Sequence, residues 1–354
     1  MKGLILAGGV GTRLRPITYA MPKHLVPLMG KAMIEYPIEH LVEVNIRDIG
    51  IVVGYLGELI RDYLGDGSRY GARFTYIVQK ERKGIAHAIH LSISEGFIDD
   101  SFIVYLGDNI LSKGLRRFYT VIKEEDPDVF ILLARVRDPR RFGVAVLDNG
   151  RIINIVEKPR EFISDLAVIG VYYFRDPELV EKAYSTLRPS WRGEYEVTEL
   201  IKWFIDNNYN VKYEITDGWW KDVGTPEGLL EALYLLLDNA RERVEGEVMG
   251  EVTGRVIVES GAVVEGRVYG PAYIGPGAFI GRHAVVEPYT SVERNVKLPS
   301  GKISRSLVMD NTLIDIGSLR LIESVIGRNS IVRSSRDLHG DIKLEVSNFS
   351  KIFI

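Results

Sequence analysis

Hydrophobic positions along the first two thirds of the chain switch between two periods. GLILAGG is a short apolar run closed by glycines, and EYPIEHLVEVN carries apolar residues at helical spacing. The alternation continues through DIGIVVGY (strand), ELIRDYLG (helix), RFTYIVQ (strand), AHAIHLSIS (helix) and SFIVYLGDN (strand). LRRFYTVIKEED then reads as a helix and VFILLARV as another buried strand. Such βαβα order predicts a Rossmann-like α/β domain: a mainly parallel sheet with helices on both faces, and ligands beyond the carboxyl ends of the strands. EVTELIKWFIDN and TPEGLLEALYLLLDNARERV predict two further amphipathic helices.

After the last of these the pattern changes. From Val256 every sixth residue is aliphatic: Val256, Ala262, Val268, Ile274, Ile280, Val286 and Val292. Four positions after each comes a residue that is nearly always small, from Ser260 and Gly266 to Val296. No α-helix or hairpin has this period; it fits the hexapeptide sides of a stacked coil, a left-handed parallel β-helix. Val308, Ile314, Ile326 and Val332 resume the period after a phase slip, and Arg320 breaks it. The predicted domains are therefore 1–244, the α/β domain, and 245–354, the hexapeptide-repeat domain.

Composition narrows the possibilities without naming one. The 354 residues are 46% hydrophobic and 26% charged with a formal net charge of −3, which argues for neither a nucleic-acid nor an anionic-membrane partner. The absence of cysteine excludes disulfides, Cys-ligated zinc and thiol catalysis, and suits a cytoplasmic location. MKGLILAGGVGTRLRP has too short an apolar run for a signal-peptide core, and no long apolar run follows, so a soluble chain is expected. One glutamine, no cysteine and abundant Ile, Val, Arg and Glu resemble heat-adapted proteins, so a high melting temperature is expected.

The candidate chemistry begins directly after the first strand, where Gly8, Gly9 and Gly11 precede Thr12 and Arg13. Glycines let backbone N–H groups approach a phosphate, and Arg13 adds a charge-assisted fork. The dinucleotide fingerprint lacks its third glycine here, and no P-loop lysine follows. The blocks that follow carry a resemblance. LAGGVGTRLRP and PKHLVP with Lys23, then LGDN with Asp108 and Asn109, then VEKP with Glu157 and Lys158, then WWKDVGTPEGLLEA with Asp222, are similar in kind and order to the sugar-1-phosphate nucleotidylyltransferases. With a repeat tail of this length the chain resembles their long thymidylyltransferase form.

That resemblance implies transfer of a nucleotidyl group from dTTP to glucose 1-phosphate, with dTDP-glucose and pyrophosphate as products. The nucleophile is an already ionised phosphate oxygen, so charge neutralisation and alignment are needed more than a base. Asp108 and Asp222 are the expected Mg²⁺ ligands, since Mg²⁺ takes few protein carboxylates plus phosphate oxygens. Arg13 and Lys23 suit the triphosphate and the leaving pyrophosphate. The resemblance implies that Leu6, Gly8, Gly9, Gly11, Thr12, Gln79 and Gly84 also line the nucleotide. It places Asn109, Gly143, Glu157, Lys158, Val168 and Tyr172 at the sugar phosphate, where Glu194 of RGEYEVTEL is a further candidate.

Gln79, the single glutamine, is expected to read thymine or uracil, because a primary amide can meet a 4-oxo acceptor and the N3–H donor together. His87 stands where short thymidylyltransferases often carry an amide. The six histidines have no metal-ligand spacing, so zinc is not expected. Three alternatives are weighed against this reading. They are a UTP-using or other hexose-1-phosphate enzyme, an acetyltransferase activity in the tail through His283, and a non-catalytic sugar-nucleotide sensor. The last calls for loss of Arg13, Lys23 or the acidic pair, and all are present. Apolar coil sides and open coil edges predict a homo-oligomer.

Overall fold

The structure, a computed structural model, describes residues 1–336 and 338–354. Its chain divides into two compact units, Met1–Gly9 with Ile34–Asp222, and Val10–Met33 with Val223–Ile354.

The first unit follows the predicted alternation: β1 (Lys2–Ala7), α1 (Glu35–Glu43), β2 (Asp48–Val53), α2 (Gly57–Leu64), β3 (Arg73–Val78), α3 (Ile85–Ser94) and β4 (Phe102–Leu106). β1 lies between β2 and β4, and β3 lies outside β2, all parallel. Runs such as FIVY in β4 are apolar at every position because helices cover both faces of a parallel sheet. Leu4, Phe102, Val104, Ile131, Phe174 and Phe204 are completely buried in this core.

The chain then adds β5 (Asn109–Leu111), α4 (Arg116–Glu125), β6 (Val129–Arg135), β7 (Gly143–Asp148), β8 (Arg151–Glu157) and β9 (Leu166–Phe174). α5 (Pro177–Tyr184), α6 (Val197–Asp206), β10 (Val211–Ile215) and β11 (Trp220–Asp222) complete the unit. β9 runs antiparallel between β4 and β6, and β7 and β8 extend the sheet antiparallel, giving the order β8-β7-β9-β4-β1-β2-β3. This antiparallel flank is absent from the sequence expectation. LAVIGVYYF is buried at all nine positions, and an uninterrupted apolar run carries no sign of its direction.

In the second unit Thr225 caps α7 (Pro226–Asn239) by accepting from the Gly228 amide at 3.1 Å, with Pro226 in the first turn. Strands beyond residue 243 pair in parallel, in register Val256↔Ala272, Ala272↔Thr290, Ser291↔Leu307 and Leu307↔Val325. Each strand thus meets one about three hexapeptides further on, consistent with a parallel β-helix. Val256, Ala262, Val268, Ile274, Ile280, Val286 and Val292 are all buried. The small positions are buried as well, apart from Ser260, which is exposed. At the predicted break, Leu319 and Leu321 turn inward, and the guanidinium of Arg320 pairs with Glu287 at 2.6 Å. Asn295, Asn311 and Asn329 take positive φ, and their amides bond in series at 3.1 and 3.2 Å.

The paired strands of this region start at Arg243, and the unit that holds them also takes in residues 10–33 and the chain from Val223. Glu293, buried on the coil, accepts from the Met29 and Gly30 amides at 3.1 and 2.9 Å. Arg328 donates to the Leu25 carbonyl at 3.0 Å. Gly30 sits at φ +80, and a Cβ there would lie 2.2 Å from the Tyr273 hydroxyl, so only glycine permits the contact. These bonds join segments far apart in sequence, which periodicity cannot register.

Candidate active site

β1 ends at Ala7, with Leu6 in register with Val52 and Leu106 on its two neighbours. Gly8 follows, and a Cβ there would lie 3.3 Å from Gln79 Oε1. Gln79 directly follows β3, anchored by its own amide to the Val53 carbonyl at 2.9 Å. Its side chain is buried, with Nε2 3.2 Å from the Gly84 carbonyl and 3.0 Å from His87 Nδ1. The sequence expectation has this amide meet a base through both ends; in the structure its NH₂ group lies against the Gly84 carbonyl and His87, and Oε1 lies on the side of Gly8. Gly84 adopts φ +96, and a Cβ on it would lie 2.5 Å from the Tyr195 carbonyl and 3.1 Å from Glu194 Cβ. That close approach brings the Gln79 turn against residues 194 and 195.

Asp108 lies in the turn between β4 and β5, so it caps no helix. β11 pairs antiparallel with β5 and sets Asp222 opposite Asn109. Asn109 is 2% exposed; it donates to Asp108 at 3.0 Å and accepts from Trp220 Nε1 at 2.6 Å. Asn109 therefore braces Asp108 between two strands. Register sets Asp222 opposite Asn109 and so one position from Asp108, although 113 residues separate the two acids in sequence.

Gly143 on β7 pairs with Glu157 on β8, and a Cβ at Gly143 would come within 2.3 Å of Thr198 Cγ2. Thr198 donates to Glu157 Oε2 at 3.0 Å, Arg192 donates to Oε1 at 3.3 Å, and Lys158 Nζ lies 3.2 Å from the same oxygen. Arg192 also pairs with Glu194 at 3.1 Å and Glu196 at 2.7 Å. Arg192 and Thr198 carry no sequence signal for this contact. Both lie within a few residues of Glu194, but their bearing on Glu157 is purely tertiary. Val168 and Tyr172 are buried in β9. The Tyr172 hydroxyl is pushed well above its ordinary pKa by burial and then by the charges of Glu157, Asp108 and Asp222. Three of the expected carboxylates thus act on one buried phenol.

Apart from Gly9, the remaining expected residues belong to the second unit. Gly11 has φ +67, and a Cβ there would lie 3.0 Å from Thr18 Cγ2 and 3.2 Å from Lys23 Cβ. Thr18 bonds the Gly11 carbonyl at 2.7 Å and closes the turn over Lys23. Thr12 and Arg13 are exposed with Gly9, and a Cβ on Gly224 would lie 2.6 Å from Arg13 Nη2. His283 is exposed and pairs in parallel register with Ser300 on the neighbouring strand. Among the described residues no three or more His, Asp or Glu side chains gather to hold a metal. Two carboxylates nonetheless fit the oxygen-poor protein share of a Mg²⁺ shell.

A mainly parallel sheet whose first strand runs into glycines, with Asp108 and Asp222 at neighbouring positions on paired strands, fits a class of protein: an α/β enzyme that handles nucleotide phosphates. Comparison with known proteins refines the class. Residues 2–239 match the model of the nucleotidyl transferase family. A glucose-1-phosphate thymidylyltransferase of Streptomyces griseus is 38% identical over 99% of both chains. The UTP–glucose-1-phosphate uridylyltransferase AglF of Haloferax volcanii is 36% identical over 69% of this chain and all of its own. A solved Bacillus anthracis structure, described as a glucose-1-phosphate thymidylyltransferase with sucrose, aligns at TM-score 0.62 and 39% identity, covering 69% of this chain and 98% of its own. The chain belongs to the nucleotidyl transferase family, among its sugar-1-phosphate nucleotidyltransferases, and is an enzyme. No described helix is long and apolar enough to cross a membrane.

Proposed function

We propose that the protein is a cytoplasmic glucose-1-phosphate thymidylyltransferase. A phosphate oxygen of glucose 1-phosphate bonds to the α-phosphorus of dTTP, and the bond from that phosphorus to the bridging oxygen of the pyrophosphate breaks. dTDP-glucose and pyrophosphate are the products. Asp108 and Asp222 would hold Mg²⁺, which when bound supplies charge neutralisation for the triphosphate. The backbone of Gly8, Gly9, Gly11 and Thr12 cradles phosphate, and Arg13 and Lys23 balance the charge of the leaving pyrophosphate. Lys158 binds the sugar phosphate, while Glu157, held by Thr198 and Arg192, accepts from sugar hydroxyls. Gln79 Oε1 accepts from the base.

The observation that carries the reading is the register of β11 on β5, which sets Asp222 opposite Asn109 and beside Asp108. It is supported by the full-length likeness to the Streptomyces enzyme. UTP is the second reading, favoured by the Haloferax relative and by a base edge at Gln79 that uracil shares with thymine. Pyrophosphate release measured for several NTPs against several hexose 1-phosphates, with Mg²⁺, separates them. Highest kcat/KM with dTTP and glucose 1-phosphate is expected, and no product with any pair would overturn the proposal. The repeat domain is proposed to be a left-handed parallel β-helix that helps join subunits into a homo-oligomer. A monomer by light scattering at micromolar concentration would refute that assembly.

A further inference from the structure

The Gln79 amide has a determinate orientation. The Gly84 carbonyl can only accept, so the amide atom 3.2 Å from it must be the NH₂ nitrogen. The same nitrogen lies 3.0 Å from His87 Nδ1. Two hydrogens meet two acceptors, which requires a lone pair on Nδ1 and the imidazole proton on Nε2. A protonated imidazole would set an N–H against the NH₂ group. Turning the amide over to relieve that clash would set its oxygen against the Gly84 carbonyl. Only the neutral histidine gives both hydrogens of the amide an acceptor.

The surroundings hold His87 in that state. Burial pushes its pKa below the ordinary value, followed by Lys83 on the preceding turn and His90 on the same helix, with Glu81 opposing. His90 is paired with Glu181 of α5 at 2.8 Å and stacked on Tyr184 at 4.2 Å between centroids. Glu194 and Tyr195 close the side next to Gly84.

We propose that His87 is a specificity-determining positioning residue, whose Nδ1 pins the Gln79 amide so that Oε1 alone faces the base. The inference rests on Gln79 being the base contact. An outward oxygen accepts the N3–H of thymine or uracil and repels the N3 lone pair of cytosine. An amide turned over would present NH₂ and welcome cytosine. The pair therefore sorts pyrimidines by N3 protonation and is blind to the 5-methyl group.

The test compares kcat/KM for dTTP and dCTP in the full-length wild-type enzyme and in the variants His87→Leu, His87→Gln and Gln79→Leu, each checked for an unchanged melting midpoint. His87→Leu is expected to shrink the dTTP:dCTP ratio about tenfold, with the loss falling mainly on KM for dTTP, as for one misdirected hydrogen bond. His87→Gln, whose carbonyl can accept from the same NH₂, restores the ratio. A wild-type ratio in His87→Leu, with Gln79→Leu still lowering it, would overturn the role of His87 alone. A wild-type ratio in Gln79→Leu would remove Gln79 as the base contact and the inference with it. If His87→Leu unfolds, the ratio in His87→Gln decides: a collapsed ratio there refutes the proposal.

Discussion

The pairing of β5 with β11 sets Asp222 opposite Asn109, the neighbour of Asp108, so the two acids are expected to act jointly on turnover. Asp108→Asn or Asp222→Asn is expected to lower kcat by at least about a hundredfold at saturating Mg²⁺, as for loss of a charged metal ligand. Steady-state pyrophosphate release checks this, and unchanged turnover would show that neither acid binds the metal. Lys158→Ala should raise KM for the sugar phosphate and leave KM for the nucleotide nearly as it was, which two-substrate kinetics resolves. An effect confined to the nucleotide would contradict its assignment. At this scale the sequence was informative where a residue type was unusual. Gln79 stands out as the single glutamine, and the paired acids stand out by motif. The constraint on Gln79 by His87 and the grip of Arg192 on Glu157 were hidden. Each is a hydrogen bond between side chains whose sequence spacing, or chemistry, has no periodic signature.

The turn leading into α3 shows how an element is bound to the site. Gly84 occupies φ +96 directly beneath the Tyr195 carbonyl, and the Ala86 amide bonds that carbonyl at 3.1 Å. Gly84→Ala would force an L-residue into an extended positive-φ conformation essentially reserved for glycine, at about 1–3 kcal/mol, and add a clash with backbone. Lower stability in urea melts and a raised KM for the nucleotide are expected together. A stable variant with normal KM would show that the turn does not position the base contact. Elements with alternating helix and strand periods were legible in advance, including every strand from β1 to β4. β7 to β9 were not, because antiparallel entry depends on which edge of the existing sheet is open. The C-terminal repeat was the most legible stretch, since its aliphatics recur every sixth residue, are buried, and lie among strands paired in parallel.

For the whole molecule, Glu293 offers a test by pH. Burial, more than offsetting the hydrogen bond from Ser291, pushes its carboxyl from 4.5 to about 7. The folded chain therefore holds this proton more tightly than the unfolded one. Its contribution to stability is full below about pH 4.5 and is lost as pH rises through about 7. A shift of that size corresponds to something on the order of 3 kcal/mol. The melting midpoint is expected to fall between pH 5.5 and 8 more steeply in the wild type than in Glu293→Gln; parallel slopes would remove Glu293 as the titrating group. A midpoint in the ordinary mesophile range would likewise remove the heat-adapted reading of the composition.

The same carboxylate bears on how this protein could be recombined. It reaches the Met29 and Gly30 amides across some 263 positions of sequence, just downstream of Lys23. A chimera joined at residue 244 would look conservative by sequence, yet it would give the Lys23 segment a foreign platform. Its posture would be inherited from whichever parent donates the coil, so interchangeable parts should be cut to keep residues 10–33 with their own repeat.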